Sequence, residues 1–314
     1  MHKRYYLISL FLCNCFFLSH AQQNDLNKIT LSNYLINSNP QDLLIGHFIG
    51  VTNESNIKLV GKNHKLFEVK QGQLFLSTNG KIYFGRNVSA VVSVLLKRKD
   101  KTPIQKSFTI LRDQFTQNKI IAHRGAWKST NVPQNSIASL QAAIKLGAAG
   151  SEFDIHLTAD DVLVINHDPA FEGMTIEKTN YTDLQKHSLK NGEPIPTLEN
   201  YLKTGMLQQK TKLIAELKPS IISKERSLKL AEKVVALVDK LQAQAWVVYI
   251  SFSYDILKKI VELEPSAQTQ YLYGGATSEQ LKADGITGAD YHFSVYQRDE
   301  QWITNAHQNG RVVN

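Results

Sequence analysis

Cysteine is nearly missing from this chain of 314 residues: it has two, Cys13 and Cys15, both close to the amino terminus. A disulfide framework and a thiol nucleophile are therefore excluded for the rest of the chain. The sequence also lacks a Gly-x-Ser-x-Gly motif, so a serine nucleophile of the elbow type has no support. The lack of thiolates further argues against zinc.

Long hydrophobic runs are scarce as well. The run at residues 5–18 follows Lys3 and Arg4 and ends in Ser19-His20-Ala21, a small-x-small cleavage pattern. This arrangement predicts a secretory signal peptide at residues 1–21, because the run is short for a membrane crossing. The alternative is an uncleaved anchor. We expect an exported protein, periplasmic or secreted, without stable membrane insertion.

Neither sign of charge dominates the sequence. The net charge is +8, and two of these charges leave with Lys3 and Arg4. Lysine and arginine are scattered, apart from the short run at residues 97–99. We therefore expect no nucleic-acid partner, whereas phosphate-containing substrates or anionic lipids suit this balance.

Residues 22–111 show short strand patterns separated by turn residues such as Gln71-Gly72 and Asn79-Gly80. They predict a small all-β sandwich with strands at residues 43–45, 47–51, 57–60, 66–69, 73–76, 81–84, 88–96 and 107–111. The phrases Leu44-Ile45-Gly46, Lys65–Val69 with Gly72-Gln73-Leu74, and Ser107–Ile110 resemble a cadherin-like repeat. Acidic calcium-linker motifs are not evident, so calcium-dependent adhesion is not implied, and the domain's partner is not identified.

After a linker at residues 112–118, the pattern changes to alternating strands and helices over residues 119–314. The predicted strands are 119–123, 150–156, 212–218, 246–252, 269–273 and 286–293, and the predicted helices are 135–146, 198–203, 224–241, 254–263, 278–283 and 300–309. This order predicts an α/β fold, a TIM-type (β/α)8 barrel that is incomplete at its C-terminus. About six βα units precede Arg311–Asn314, which resembles the start of another strand. A fragment of a longer protein and an early stop both remain open.

Polar residues cluster where the predicted barrel strands end, which is where barrel enzymes place their active sites. Glu152 and Asp154 share one face of a strand, as do Glu216 and Lys218, because side chains alternate along a strand. Three carboxylates on neighbouring strands would repel one another unless a cation lies among them. Oxygen ligands favour a hard divalent ion, Ca²⁺ or Mg²⁺.

An ordered series of motifs extends this pattern from about residue 119 to the C-terminus. The series comprises His123-Arg124-Gly125, Pro133-Gln134-Asn135-Ser136, Glu152-x-Asp154, Thr158-x-Asp160, His167-Asp168, Ile195–Glu199, Glu216-x-Lys218 and Ile250-Ser251-Phe252. It resembles the glycerophosphodiester phosphodiesterase family, barrel enzymes similar to phosphoinositide-cleaving phospholipases.

The resemblance implies metal-dependent hydrolysis of small glycerophosphodiesters to glycerol 3-phosphate and an alcohol. It implies that Glu152, Asp154 and Glu216 bind the metal, with Ca²⁺ favoured over Mg²⁺. The same resemblance makes His123 and His167 the acid-base pair and lets Arg124 and Lys218 bind phosphate oxygens. A histidine titrates near neutral pH and can serve either role, so the sequence leaves open which one is the base and whether a cyclic phosphate forms.

One position departs from the family pattern, since Gln134 stands where Glu is more common. We expect altered metal affinity or geometry around the site rather than loss of catalysis. His156 shares the strand face of Asp154, and a structural role is as well supported for it as a site role. Two other functions remain open: a related phospholipase acting on intact lipid, and a non-catalytic surface-binding protein with a remnant barrel.

Overall fold

The computed structural model describes residues 29–37, 43–51, 56–98, 101–128 and 130–314. The predicted signal peptide at residues 1–21 lies outside these ranges, as do residues 99 and 100. Within them, no helix is both long and apolar enough to span a membrane.

The described residues of the N-terminal region form two four-stranded sheets and one short α-helix. The sheet orders are β1-β3-β6-β5 and β2-β8-β7-β4. The elements are β1 (Thr30–Leu31), β2 (Leu35–Ile36), β3 (Leu44–Ile49), β4 (Asn56–Val60), β5 (Phe67–Lys70), β6 (Gln73–Leu76), α1 (Thr78–Phe84), β7 (Ser89–Arg98) and β8 (Lys101–Arg112). Apolar side chains of both sheets share one core, in which the rings of Phe48 and Phe108 lie 6.2 Å apart. The cadherin-like assignment stays a prediction.

The predicted strand at residues 81–84 is wrong, because these residues belong to α1. Ser77 caps the helix by accepting a hydrogen bond from the backbone N–H of Gly80 at 3.1 Å. The predicted Asn79-Gly80 turn therefore lies inside the first helical turn. A Cβ atom on Gly80 would lie 2.2 Å from the carbonyl oxygen of Leu66, so only glycine lets the helix pack this closely.

The second region is built on parallel strands that follow chain order, β9-β10-β14-β15-β16-β17-β18. The strands are β9 (Ile121–Ala122), β10 (Gly150–Leu157), β11 (Leu163–Ile165), β12 (Ala170–Phe171), β13 (Met174–Thr175), β14 (Lys212–Leu217), β15 (Val247–Ser251), β16 (Thr269–Tyr271), β17 (Gly288–Ala289) and β18 (Val312–Val313). The sheet is curled, which supports the predicted α/β barrel. Between the end strands β9 and β18, no pairing occurs among the described residues, so a complete barrel stays a prediction.

Helices connect these strands. They are α2 (Ile137–Leu146), α3 (Tyr181–Leu184), α4 (Leu198–Gly205), α5 (Lys224–Leu241), α6 (Tyr254–Leu263), α7 (Ser278–Ala283), α8 (Phe293–Arg298) and α9 (Trp302–Gln308). The predicted bounds of α5, α6 and α7 are confirmed. The predicted strand at residues 286–293 is too long, because only Gly288–Ala289 pairs and Phe293 begins α8, which the sequence pattern did not predict.

The N-terminal sheets pack against the end of the barrel opposite the predicted site. Lys106 on β8 forms an ion pair with Asp239 on α5 at 2.7 Å. Thr109 donates a hydrogen bond to Gln242 at 2.8 Å. The ammonium of Lys212, at the start of β14, lies 3.8 Å from the ring centroid of Phe115. Because these barrel residues precede or begin strands, the contact leaves the C-terminal strand ends free.

Candidate active site

A tight turn after β9 carries His123 and Arg124. Arg124 has a left-handed backbone, with φ of 57°, and its N–H donates to Glu152 Oε2 at 2.7 Å. The next residue is Gly125, where a Cβ would lie 2.4 Å from Ser139 Oγ. The turn therefore requires glycine here, and the contact with Glu152 fixes it against β10.

The three predicted carboxylates come together because β10 and β14 pair in register, with Asp154 opposite Glu216. Glu152, Asp154 and Glu216 are buried, and one oxygen from each lies within 4.8 Å of the others. Glu152 and Asp154 lie inside β10 rather than at its end, because the strand continues beyond them to pair with β11. The side chain of Phe153 points to the other face of β10 and packs on Tyr201 of α4, with 4.4 Å between the ring centroids.

The ammonium group of Lys218 lies between two of these carboxylates. Its Nζ is 2.7 Å from Asp154 Oδ1 and 2.6 Å from Glu216 Oε1. Although burial opposes this shift, the two carboxylates raise the pKa of Lys218. The predicted phosphate-binding lysine is thus paired with the carboxylates, and its contact with phosphate stays a prediction.

Crowding of negative charge also changes the pKa of the carboxyl groups. Burial, followed by the charge of Asp154, raises the pKa of Glu152 to about 8. Burial likewise raises the pKa of Glu216. Both shifts show that the pocket disfavours three ionised carboxylates when no further cation is present.

The donor set fits a divalent cation. Glu152 Oε1 is buried and has no hydrogen-bond partner within the ranges described above. A buried oxygen without a partner costs free energy that a bound cation would recover. All three candidate ligands offer carboxylate oxygen, which suits Ca²⁺ or Mg²⁺.

Both predicted acid-base histidines lie beside this cluster. His123 is largely exposed, with its Nε2 3.9 Å from Glu152 Oε2. Burial of part of the ring, followed by the charge of Arg124, lowers the pKa of His123, and the charge of His167 lowers it further. His167 Nδ1 lies 2.7 Å from Asp168 Oδ1, so an N–H at Nδ1 leaves Nε2 as the free ring nitrogen.

His156, for which two roles were open, contacts the backbone of the site. It is buried, and its Nε2 lies 3.2 Å from the carbonyl oxygen of His167. Burial lowers the pKa of His156. The structural role is therefore better supported, because a neutral ring that donates from Nε2 holds the segment that carries His167.

Two neutral residues that are adjacent in the chain also contact the charged groups of the site. Asn135, with φ of 55°, donates from Nδ2 to Asp154 Oδ2 at 2.8 Å and accepts from the Asp154 N–H at 3.2 Å. Gln134 accepts from Arg124 Nη1 at 2.9 Å. In the sequence, the Pro133–Ser136 motif indicated that this segment is important, but its residue spacing does not predict the contacts with Asp154 and Arg124.

Comparison with known proteins shows the family of this chain. Residues 123–314, more than half of the chain, match the model of the glycerophosphoryl diester phosphodiesterase family. The chain belongs to this family. Its enzyme class is therefore that of the glycerophosphodiester phosphodiesterases.

Curated relatives in this family include a glycerophosphodiester phosphodiesterase of Caldanaerobacter subterraneus subsp. tengcongensis, 30% identical over 167 residues. That match covers 49% of this chain and 66% of the relative, slightly under two thirds. A putative glycerophosphodiester phosphodiesterase of Bacillus subtilis is 32% identical over 182 residues, covering 52% of this chain and 71% of the relative.

Solved structures of phosphodiesterases share the fold. A glycerophosphodiester phosphodiesterase from Parabacteroides distasonis is 41% identical, with a TM-score of 0.61 over 64% of this chain and 84% of the other. An Oleispira antarctica phosphodiesterase, solved with the product sn-glycerol-3-phosphate, is 25% identical, with a TM-score of 0.51 over 62% of this chain and 83% of the other.

Proposed function

We propose that this protein hydrolyses glycerophosphodiesters to glycerol 3-phosphate and an alcohol, with a divalent cation held by Glu152, Asp154 and Glu216. The observation that carries the proposal is the buried triad of carboxylates, with one oxygen from each within 4.8 Å of the others. The family and the product-bound relative support the same substrate class. Ca²⁺ is the favoured ion, because its flexible coordination tolerates an irregular set of oxygen ligands.

The side chains around the triad divide the remaining chemical tasks. A bound cation supplies positive charge for the phosphate oxygens. Arg124 adds a guanidinium for those oxygens, and Lys218 is the second cationic side chain of the cluster.

The environments of the two histidines suggest separate roles in proton transfer. The lowered pKa keeps His123 neutral near pH 7, so it is the proposed base for the attacking glycerol hydroxyl or water. His167, oriented by Asp168, is the proposed acid that protonates the departing alcohol oxygen from Nε2.

The test is release of glycerol 3-phosphate from glycerophosphocholine by the purified protein, with Ca²⁺, with Mg²⁺ and with a chelator. We expect metal-dependent release that His123→Ala reduces at least about a hundredfold, as expected for loss of acid-base catalysis. His64→Ala, at an exposed histidine of the N-terminal sheets, is the matched control and should retain activity. No release by folded wild-type protein with either cation would contradict the proposal and favour the non-catalytic binding protein.

A second candidate substrate, an intact or singly acylated phospholipid, is favoured by exposed apolar side chains on the barrel. They follow strands β14 to β17, at the same strand ends as the site, and are Ile221, Ile222, Phe252, Tyr273 and Phe293. Apolar side chains beside a phosphodiester site suit an amphiphile. Release of choline from lysophosphatidylcholine, at a rate above that from glycerophosphocholine, would support this candidate, and the reverse order would reject it.

Export remains part of the proposal. It rests on the basic start, short apolar run and cleavage pattern of residues 1–21. Amino-terminal sequencing of protein recovered outside the cytoplasm is expected to start at Gln22, and recovery of the uncut chain in the membrane fraction would favour an anchor.

A further inference from the structure

Gln134 contacts the phosphate-binding candidate Arg124 through a neutral amide. Its Oε1 accepts a hydrogen bond from Arg124 Nη1 at 2.9 Å, and the side chain is half-buried. The Arg124 Nε is buried, has no hydrogen-bond partner in the described part of the chain, and lies 3.9 Å from Asp154 Oδ2. The amide of Gln134 therefore helps to fix the direction of the guanidinium plane.

The neutral charge of the Gln134 amide affects the net charge of the site. When ionised, the three carboxylates of Glu152, Asp154 and Glu216 outweigh the cationic groups of Arg124 and Lys218 by one charge. A divalent cation converts this into an excess of one positive charge, which balances the single negative charge of a phosphodiester. A carboxylate in place of the Gln134 amide would remove that excess and form an ion pair with the guanidinium.

We propose that Gln134 is a positioning residue that orients Arg124 without neutralising it, and thereby raises phosphate affinity at the expense of cation affinity. This inference rests on the proposed function of the same site. Because Gln134 acts through Arg124, its effect should appear in binding constants more than in kcat. The effect should also grow with the charge of the anion, so the dianionic product is more sensitive than the monoanionic substrate.

The first test is Gln134→Glu, assayed by KM for glycerophosphocholine and by calorimetric binding of glycerol 3-phosphate and of Ca²⁺. Coulomb's law with a partly screened extra charge predicts that KM rises about tenfold and that the product dissociation constant rises about a hundredfold. The same charge should tighten Ca²⁺ binding about tenfold. A variant that had merely lost structure would weaken both ligands, so opposite changes identify the charge effect.

A second variant separates orientation from charge. Gln134→Met keeps a long side chain but removes the acceptor for Arg124 Nη1. We expect KM to rise about fivefold, the cost of one lost hydrogen bond, with Ca²⁺ affinity unchanged. Gln141→Glu, at an exposed position of α2, makes the same charge change outside the site and should leave all three constants near the wild-type values.

The outcomes distinguish this inference from the function on which it rests. If wild type turns over substrate but Gln134→Glu leaves KM, product binding and Ca²⁺ binding unchanged, the role of Gln134 is wrong and the function stands. If wild type binds glycerol 3-phosphate without turnover, and Gln134→Glu weakens that binding while tightening Ca²⁺, the hydrolytic function is wrong and the role of Gln134 stands. If wild-type protein neither binds glycerol 3-phosphate nor releases it, both are overturned.

Discussion

Asn135 contacts Asp154 from two sides: its amide nitrogen donates to the carboxylate, and its amide oxygen accepts from the Asp154 backbone N–H. Its own N–H donates to the Arg124 carbonyl oxygen at 3.0 Å. One buried neutral residue therefore links the turn after β9, through its backbone, to a candidate metal ligand, through its side chain. Such outer contacts orient a ligand before the metal binds, which reduces the cost of binding.

Replacing Asn135 by Ala is expected to weaken Ca²⁺ binding about tenfold to a hundredfold, because Asp154 loses its orientation. Titration calorimetry measures this affinity directly, and circular dichroism checks the fold. Asn87→Ala, at an exposed asparagine of the N-terminal region, is the control. Unchanged Ca²⁺ affinity in a folded Asn135→Ala variant would contradict the positioning role.

The sequence predicted that the charged residues of the site lie close together, but it did not predict the neutral residues that contact them. Glu152, Asp154 and Glu216 were predictable because alternate residues of a strand share one face. The contact of Asn135 with Asp154 spans 19 residues and depends on a left-handed backbone at Asn135. Neither property follows from residue spacing.

At the scale of elements, a half-buried arginine connects α5 to the end of β10. Arg226 donates from Nε to Glu177 Oε1 at 3.1 Å and from Nη2 to the Leu157 carbonyl oxygen at 3.1 Å. The other oxygen of Glu177, itself buried, accepts from the Ile221 N–H at 2.8 Å. These bonds hold the loop after β14 against the strand that carries two of the carboxylates.

Arg226→Met is expected to reduce the free energy of unfolding by about 3 kcal/mol, because it leaves Glu177 as a buried charge without its cation. Adding Glu177→Gln should recover part of the loss, since the uncompensated charge is removed. Lys224→Met on the same helix breaks only the exposed pair with Asp255 and should cost less than about 1 kcal/mol. Urea unfolding measures all three, and equal losses for Arg226→Met and Lys224→Met would refute the argument.

Some elements followed from local patterns and others did not. The helix α5 was predicted at its observed bounds, Lys224–Leu241, because eighteen residues give a long amphipathic pattern. In the structure, Ser223 caps this helix by accepting from the backbone N–H of Arg226. Residues 81–84 were predicted as a strand because four residues are too few to distinguish the hydrophobic period of a helix from that of a strand. The decisive contact, Gly80 against the carbonyl oxygen of Leu66, depends on packing with another segment.

At the scale of the whole molecule, the N-terminal sheets and the barrel share a buried interface. A small cavity of about 50 Å³ lies there, lined by residues of both regions, including Tyr34 and Glu264. Glu264, at the end of α6, is buried and accepts a hydrogen bond from Ser266. The pairing of Thr109 with Gln242 spans 133 residues, so the local pattern of either region could not predict this interface.

Burial raises the pKa of Glu264 above its ordinary value of 4.5, so the folded state binds this proton more tightly than the unfolded state does. Ionisation therefore costs stability as the pH rises above 4.5, and the cost grows until the raised pKa is passed. Glu264→Gln should match wild type near pH 4 and gain on the order of 1 kcal/mol at pH 8. Urea unfolding across this range measures the difference in the free energy of unfolding between the variant and wild type. A difference that does not change with pH would show that ionisation of Glu264 is not its cause.

Because the candidate site depends on the register between β10 and β14, ion binding would favour the correct pairing of these strands. Asp154 lies opposite Glu216, so a slip of one residue would turn Glu216 to the other face of the sheet. The three carboxylates could not then surround one ion. By mass action, an ion that binds only the correctly paired chain enriches that chain over its mispaired competitors. The strand register that assembles the metal site would thus also select, during folding, the molecules that are able to bind the ion.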